Sequence, residues 1–271
     1  MIKLKQLRRI SILMILFFGI SLLTISVFAE EGQNEGEEIM QRILERESWN
    51  SMQSLMTLKI ISKQGKERTY KLESHNKTFA DETNKSMMIF VDPPDAEDTR
   101  LLTFDYPEQD DDMWIYIPQL RASRRIAASG RGGSFMNSDF SYEDIGAPNL
   151  EDFNYRLLGS ESIEGQEYYK IECIPVTDII ARNTGYGKII RWVRKDIEVI
   201  EKSLYFNRAG QELKEGIAQE IKQIEGIWFP IKQIMNNIKS GQVSIITFDE
   251  IKVNVDIDDK YFSQRYLEKG R

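Results

Sequence analysis

The sequence is poor in the residues that build disulfides and metal centres, with one cysteine, Cys173, and one histidine, His75. A single cysteine excludes an intramolecular disulfide, and its place far from the N-terminus excludes an acylated N-terminal cysteine. A single histidine excludes multi-imidazole metal sites and the HExxH arrangement. With only 7 Pro and 17 Gly among 271 residues, collagen-like and low-complexity chains are excluded as well.

Basic residues are outnumbered by acidic ones, and phosphate-binding motifs are lacking. Lys and Arg number 36 against 43 Asp and Glu, a net charge of −7, which argues against nucleic acid as a partner. The glycine-rich run Gly130–Gly133 lacks the strand-to-helix context of a phosphate loop, so no nucleotide or other cofactor is expected. The acidic run Asp110–Asp112 is typical of a solvated hairpin tip, so no metal site is expected either. No catalytic constellation is present, and we expect a protein that is not an enzyme.

The N-terminus carries an export signal. Basic residues between Lys3 and Arg9 precede an apolar run, Ile10–Ile25, and small residues at positions 27 and 29 are typical of signal peptidase sites. We expect residues 1–29 to be a signal peptide that is cleaved after Ala29. The alternative is an uncleaved membrane anchor.

The rest of the chain predicts one folded domain, residues 39–271, behind a flexible acidic leader, residues 30–38. Apolar residues between Ile39 and Leu44 recur at helical spacing. From residue 54 onward, short alternating segments separated by tight turns predict about eleven antiparallel strands. The fold class is therefore mainly β (α+β), a single strongly curved antiparallel sheet with a few short helices and an apolar cavity in its concavity.

The segment Arg121–Asp144 is the most unusual part of the chain. Four arginines, Arg121, Arg124, Arg125 and Arg131, are followed by the acids Asp139, Glu143 and Asp144. The guanidinium groups are suited to an anionic headgroup or an acidic partner. Alternatively, they pair with the acids that follow and hold a long connection against the sheet. Both interpretations stay open on the sequence alone.

Six stretches of the chain together resemble a known family: Asp112–Pro118, Arg124–Ile126, Ser134–Asp144, Arg191–Lys195, Trp228–Pro230 and Phe262–Leu267. They are similar to the exported outer-membrane lipoprotein-sorting proteins of the LolA-like superfamily, in the branch associated with resistance-nodulation-type exporters. Asn137 stands where that branch has glycine. The resemblance implies a half-barrel wrapped around helices, located in the periplasm, whose cavity shelters lipid or the acyl chains of a lipoprotein.

On this resemblance we expect a lipid or lipoprotein carrier that works with an inner-membrane exporter. The expected apolar lining is Met56, Leu58, Ile60, Met87, Ile89, Leu102 and Phe104. The expected headgroup or partner contacts are Arg121, Arg124, Arg125, Arg131, Ser134, Phe135, Met136, Asp139 and Phe140. The alternatives are a regulatory protein that senses a lipid and a lipid hydrolase that uses His75 as its base.

Overall fold

A computed structural model of the protein describes residue 32 and residues 34–44, 48–107 and 109–270. Within these residues, thirteen strands form one curved antiparallel sheet. The strands are β1 (Ser51–Ile61), β2 (Glu67–Thr78), β3 (Asn84–Asp92), β4 (Arg100–Asp105), β5 (Asp112–Ile117), β6 (Ala122–Arg125), β7 (Phe153–Ile163), β8 (Gln166–Pro175), β9 (Lys188–Arg194), β10 (Ile200–Phe206), β11 (Glu212–Ile224), β12 (Ile227–Asn237) and β13 (Val243–Val253).

The sheet consists of two meanders joined at their first and last strands. Strands β1 to β6 lie side by side in chain order, as do β7 to β13, and β13 pairs with β1, for example Leu58 opposite Ile246. Short turns between successive strands dictate this antiparallel arrangement. The edges are therefore β6 and β7, and the connection between them, residues 126–152, has to cross the sheet. We call this connection the strap.

The predicted fold class is confirmed, but the sheet has thirteen strands rather than about eleven. Strand β6 was missed because it lies in the stretch from residue 121 to 151 that the sequence predicts to be irregular. It carries no alternating apolar pattern and forms by backbone pairing with β5, where Ile115 lies opposite Arg124. Main-chain pairing of this kind leaves no side-chain signal.

Four α-helices accompany the sheet in the described part of the chain. They are α1 (residues 34–44), α2 (Tyr142–Ile145), α3 (Asp178–Thr184) and α4 (Gln264–Lys269). The predicted leader, residues 30–38, overlaps this helix, because six of its residues, 32 and 34–38, are helical. Gly36 explains the difference: a Cβ there would lie 2.6 Å from the backbone nitrogen of Leu157, so glycine lets α1 approach β7 closely.

The two faces of the sheet are covered by different parts of the chain. The strap and α1 cover one face, which we call the inner face, through buried residues such as Phe135 and Met40. The segment after β13 covers β3 and β4 on the opposite, outer face, where Phe262 and Leu267 pack on Met87 and Leu102. Each meander therefore buries its apolar residues on both sides.

The predicted signal peptide, residues 1–29, lies outside the described residues. Within the residues that are described, no helix is long and apolar enough to span a bilayer.

Candidate functional site

The first half of the strap fills the inner face of β1 to β5, which we call the filled half. The Phe135 side chain is 1% exposed and contacts the rings of Phe90 and Tyr142 at centroid distances of 5.9 and 5.8 Å. A tight turn aims this ring at the sheet, with Met136 and Asn137 at φ of 51° and 62°. Asparagine tolerates this left-handed conformation better than most residues, so Asn137 suits this position in the turn.

Asp139 anchors the strap to three strands. Its carboxylate accepts hydrogen bonds from Ser244 Oγ at 2.7 Å and from Asn237 Nδ2 at 3.0 Å. Its backbone carbonyl accepts from Lys214 Nζ at 2.9 Å. The residue is 9% exposed, so the three partners on β11, β12 and β13 satisfy a buried charge. The acid is a structural tie and does not face solvent.

Asp144, five residues further on, makes a second tie with the same lysine. Lys214 Nζ donates to Asp144 Oδ2 at 2.5 Å, and Tyr186 Oη donates to Oδ1 at 2.7 Å. The backbone N–H and the Oγ of Ser141 donate to Oδ2 at 2.7 and 2.8 Å and complete a capping box for α2. Burial, followed by the charge of Asp144, raises the pKa of Tyr186 well above its ordinary value. Lys214 and Asp144 therefore balance one another inside the protein.

Beyond these ties the inner face is not filled. A cavity of about 490 Å³ lies between α1, the end of the strap and strands β7, β9, β10 and β12, which we call the open half. Most of its lining is apolar or aromatic, namely Ile43, Leu44, Phe140, Pro148, Phe153, Tyr155, Tyr186, Ile189, Val199, Ile200, Tyr205, Phe229, Pro230 and Met235. Its volume lies within the range of about 300–1,000 Å³ that is usual for small-molecule sites.

Three charged residues line the same cavity: Glu143, Asp144 and Arg191. Burial raises the pKa of Glu143 from its ordinary 4.5 to about 7, against the opposing charge of Arg131. Arg191 projects from β9, and its Nε atom is buried without a hydrogen-bond partner. A charged group in an apolar cavity is the usual device for orienting a ligand.

Arg131 turns toward acids that precede it in the chain. Its Nη1 lies 3.2 Å from Asp111 Oδ2, and its Nη2 donates to the Asp111 carbonyl at 2.7 Å. Burial, and next the charge of Asp111, raises the pKa of Asp105 in the same cluster. Arg131 thus holds the strap to the loop between β4 and β5.

The other three arginines of the segment are exposed. Arg121 adopts a left-handed conformation after a short 3-10 helix, with φ of 49°. Arg124 borders a shallow pocket of about 320 Å³ together with Ser134 and Met136. Arg125 Nε donates to Asp112 Oδ1 at 2.7 Å. The expected contact residues are therefore divided: these arginines face outward, whereas Phe135, Asp139 and Phe140 are buried.

The seven residues expected to line the cavity lie on two faces of the sheet and not around the cavity. Met56, Leu58 and Ile60 lie on the inner face beneath the strap, in the filled half. Met87 and Leu102 pack under the C-terminal segment on the outer face, and Ile89 and Phe104 lie at the edge of that cluster. Met88 and Phe90, which alternate with Met87 and Ile89, point to the strap instead.

Sequence reasoning did not select Arg191 as a site residue, although a signal is present. The residue interrupts the run Ile189-Ile190-Arg191-Trp192-Val193, which is otherwise apolar on both faces. Ile189 and Val193 belong to the inner cluster, whereas Ile190 and Trp192 belong to an outer one. A charge in such a strand, on the side that faces the concavity, indicates a site.

Comparison with solved structures finds close similarity in fold. A DUF1329 family protein from Desulfovibrio piger ATCC 29098 is 27% identical, with a TM-score of 0.81 over 87% of this chain and 99% of that chain. A candidate outer membrane lipoprotein-sorting protein domain from Vibrio parahaemolyticus is 25% identical, with a TM-score of 0.81 over 88% and 100%. A LolA superfamily protein from Nitrosomonas europaea shares the fold at 22% identity, with a TM-score of 0.65 over 88% and 99%.

A family model with the description "Uncharacterized protein" matches residues 82–269, more than half of the chain. No curated protein matches the chain significantly. The matched region runs from the end of β2 to α4 and so includes the strap and most of the cavity wall. The chain belongs to the family of this model, and it shares the fold of the three structures above, one of which is a LolA superfamily protein.

Proposed function

We propose that this protein is a periplasmic carrier of lipids or of lipoprotein acyl chains. The observation that carries the proposal is the cavity of about 490 Å³ in the open half, walled by aromatic and aliphatic side chains. A curved sheet that filled its own concavity would leave no room for a ligand. Here α1 and the strap cover the inner face and still leave space between them, which supports a removable apolar ligand as the occupant.

The energetics of an acyl chain suit a carrier that performs no covalent chemistry. Burying about 14 methylenes from water stabilises the complex by roughly 11 kcal/mol, at ~0.8 kcal/mol for each. Transfer from a bilayer to an apolar cavity changes the free energy by about zero, because both environments are equally dry. Loading and unloading then follow small differences in affinity, and a membrane partner supplies any work.

A resistance-nodulation-type exporter in the inner membrane is the partner that we propose. The exposed arginines Arg121, Arg124 and Arg125 lie together near the β6 edge of the sheet, where they are accessible to an acidic partner or an anionic headgroup. Export to the periplasm is assigned to residues 1–29, with cleavage after Ala29.

The test is native mass spectrometry of the exported protein, purified from a periplasmic extract without detergent, followed by uptake from vesicles. We expect a co-purifying acyl-chain species and transfer of labelled phospholipid from donor to acceptor vesicles. Ser48→Trp should reduce transfer, because Ser48 is an exposed residue that borders the cavity. The matched control is Ser160→Trp at an exposed position on β7 away from the cavity lining.

A ligand-free mass combined with no uptake from vesicles would overturn the carrier proposal. Equal transfer by wild-type protein and Ser48→Trp would also contradict the assignment of this cavity as the binding site.

A further inference from the structure

Arg191 is a cation of the cavity wall that makes no ion pair within the described residues. It lies on the inner face of β9 and lines the cavity. Its Nε is enclosed and unpaired, and its guanidinium forms no ion pair or hydrogen bond with any other residue that the structure describes. A buried N–H donor that lacks an acceptor is unfavourable, and proteins normally pair it or leave it out. A residue kept in this state indicates that its partner arrives from outside.

The two carboxylates of the cavity do not supply that partner. Against the effect of burial, surrounding charges that include Asp144 raise the pKa of Arg191. The oxygens of Asp144 nevertheless already accept hydrogen bonds from Lys214, Tyr186 and Ser141. Glu143 lies under the influence of Arg131 and of the acids Asp152, Asp144 and Asp111, and forms no ion pair with Arg191 among the described residues. The remaining titratable side chains of the lining are phenols, Tyr155, Tyr186 and Tyr205, which burial keeps neutral.

The chemistry of the missing partner follows from the guanidinium group. Arginine presents several N–H donors in a planar fork that matches the oxygens of a carboxylate or a phosphate, and such bonds are stronger than those to neutral acceptors. The walls around Arg191 are apolar, with Ile189, Val199, Phe229 and Met235 among them. A ligand that satisfies both features has an oxyanion attached to an aliphatic chain.

We propose that the cavity selects acyl-chain ligands that carry a terminal oxyanion, a carboxylate or a phosphate, and that Arg191 binds this group. The inference rests on the proposed function in assuming that the cavity holds an acyl chain, and it adds the charge of the ligand. A neutral acyl chain fills the same walls but leaves Arg191 unpaired. The preference for an anion is therefore a property of one side chain and can be separated from acyl binding itself.

The experiment is calorimetric titration of the delipidated full-length exported protein with four probes: dodecanoate, dodecyl phosphate, methyl dodecanoate and inorganic phosphate. We expect the two anionic amphiphiles to bind about tenfold more tightly than the methyl ester. In Arg191→Met this ratio should fall to about one while binding of the ester is retained. Inorganic phosphate should neither bind nor compete, because it lacks the chain that occupies the apolar walls.

Two further variants and one further measurement serve as controls. Arg191→Lys should keep part of the preference, since an ammonium retains the charge but loses the fork. Arg208→Met removes the same charge from an exposed turn and should leave all four titrations unchanged. Ligand-free Arg191→Met should unfold at a higher temperature than wild type, because a side chain whose buried Nε–H lacks an acceptor is replaced by an apolar side chain of similar length.

The outcomes separate the two proposals. Equal affinity of the wild-type protein for dodecanoate and its methyl ester would overturn the role of Arg191 and leave the carrier proposal standing. Failure of all three amphiphiles to bind would overturn the carrier proposal and this inference with it. Binding of inorganic phosphate as tight as that of dodecyl phosphate would show a site for free anions and overturn the acyl part. If Arg191→Met fails to fold, the ratio of the wild-type affinities for dodecanoate and its methyl ester still tests the proposal.

Discussion

The filled half and the open half of the inner face differ in how the chain covers the sheet. In the filled half, the strap packs directly on the sheet, and Phe135 lies between Phe90 and Tyr142. In the open half, α1 and the strap leave a cavity between them, in which Arg191 Nε finds no hydrogen-bond partner among the described residues. The protein is therefore closely packed on one side of the strap and leaves an internal space on the other, which is the space that we propose for the ligand.

The border between the halves is a polar one. Asp139 and Asp144 of the strap share Lys214 of β11, and Ser244 and Asn237 complete the set on β13 and β12. Just beside these ties, Phe140 contacts the filled half and also lines the cavity. The ties therefore hold the strap at the position where packing ends and open space begins.

Truncation of Phe135 should have the largest effect on stability. Phe135→Ala deletes a side chain that is 1% exposed, and such truncations cost about 3–5 kcal/mol of unfolding free energy through lost burial and the cavity left behind. Guanidinium denaturation with linear extrapolation measures the loss. Leu120→Ala, at a position that is 68% exposed, is the control and should change stability by less than about 0.5 kcal/mol.

A loss below about 1 kcal/mol in Phe135→Ala would contradict the division into a filled and an open half, because the strap would then contribute little to the core. Acyl-probe binding should survive the substitution, since Phe135 does not line the cavity.

Removal of the Asp139 carboxylate should have the next largest effect on stability. Asp139→Ala leaves the buried hydroxyl of Ser244 and the amide of Asn237 without their acceptor, at a cost of roughly 2–3 kcal/mol. Hydrogen exchange should also rise along residues 134–145 before it rises in the sheet, because the strap loses its tie while the strand ladders remain. Asp256→Ala, at an exposed position, is the matched control.

Uniform faster exchange over the whole chain would contradict the idea that Asp139 acts as a local anchor of the strap. In that case the ties would serve the sheet as a whole.

Much of the architecture follows from local sequence. Alternation at Met56, Leu58 and Ile60 indicates a strand, and short turns indicate antiparallel neighbours. The resemblance carried by the motifs of residues 112–144 also predicts the fold that the solved structures share. When both faces of a strand are apolar, as in the run from Met87 to Val91, the local pattern does not show which face lies on the concave side of the sheet.

The expected lining residues do not line the cavity for the same reason. The cavity wall joins α1 to β12, and the strap reaches its place through Asp139 and Ser244, which are 105 residues apart. Such contacts are decided by tertiary packing and have no signature at short range. The arginine-rich segment drew attention by its composition, whereas the cavity contains Arg191, whose signal is a single charge in an apolar strand.

The smallest effect concerns the electrostatics of the open half. Glu143 lines the cavity near Arg131, Asp152, Asp144 and Asp111, and burial raises its pKa from 4.5 to about 7. Because the pKa of Glu143 is raised in the folded state, the contribution of this group to the free energy of unfolding is greatest below about pH 4.5. That contribution is lost as the pH rises through about 7. Glu143→Gln should therefore stabilise the protein at pH 8, by about 1–2 kcal/mol after allowance for solvent in the cavity, and change little at pH 4.

Denaturant unfolding at the two pH values measures this difference, with Glu97→Gln at an exposed turn as the control. Equal stability of Glu143→Gln and wild type at both pH values would mean that the cavity is wet enough to solvate the carboxylate. A gain confined to pH 8 would show that the ionised carboxylate of Glu143 destabilises the open half, as expected of a surface maintained for a ligand at the expense of stability.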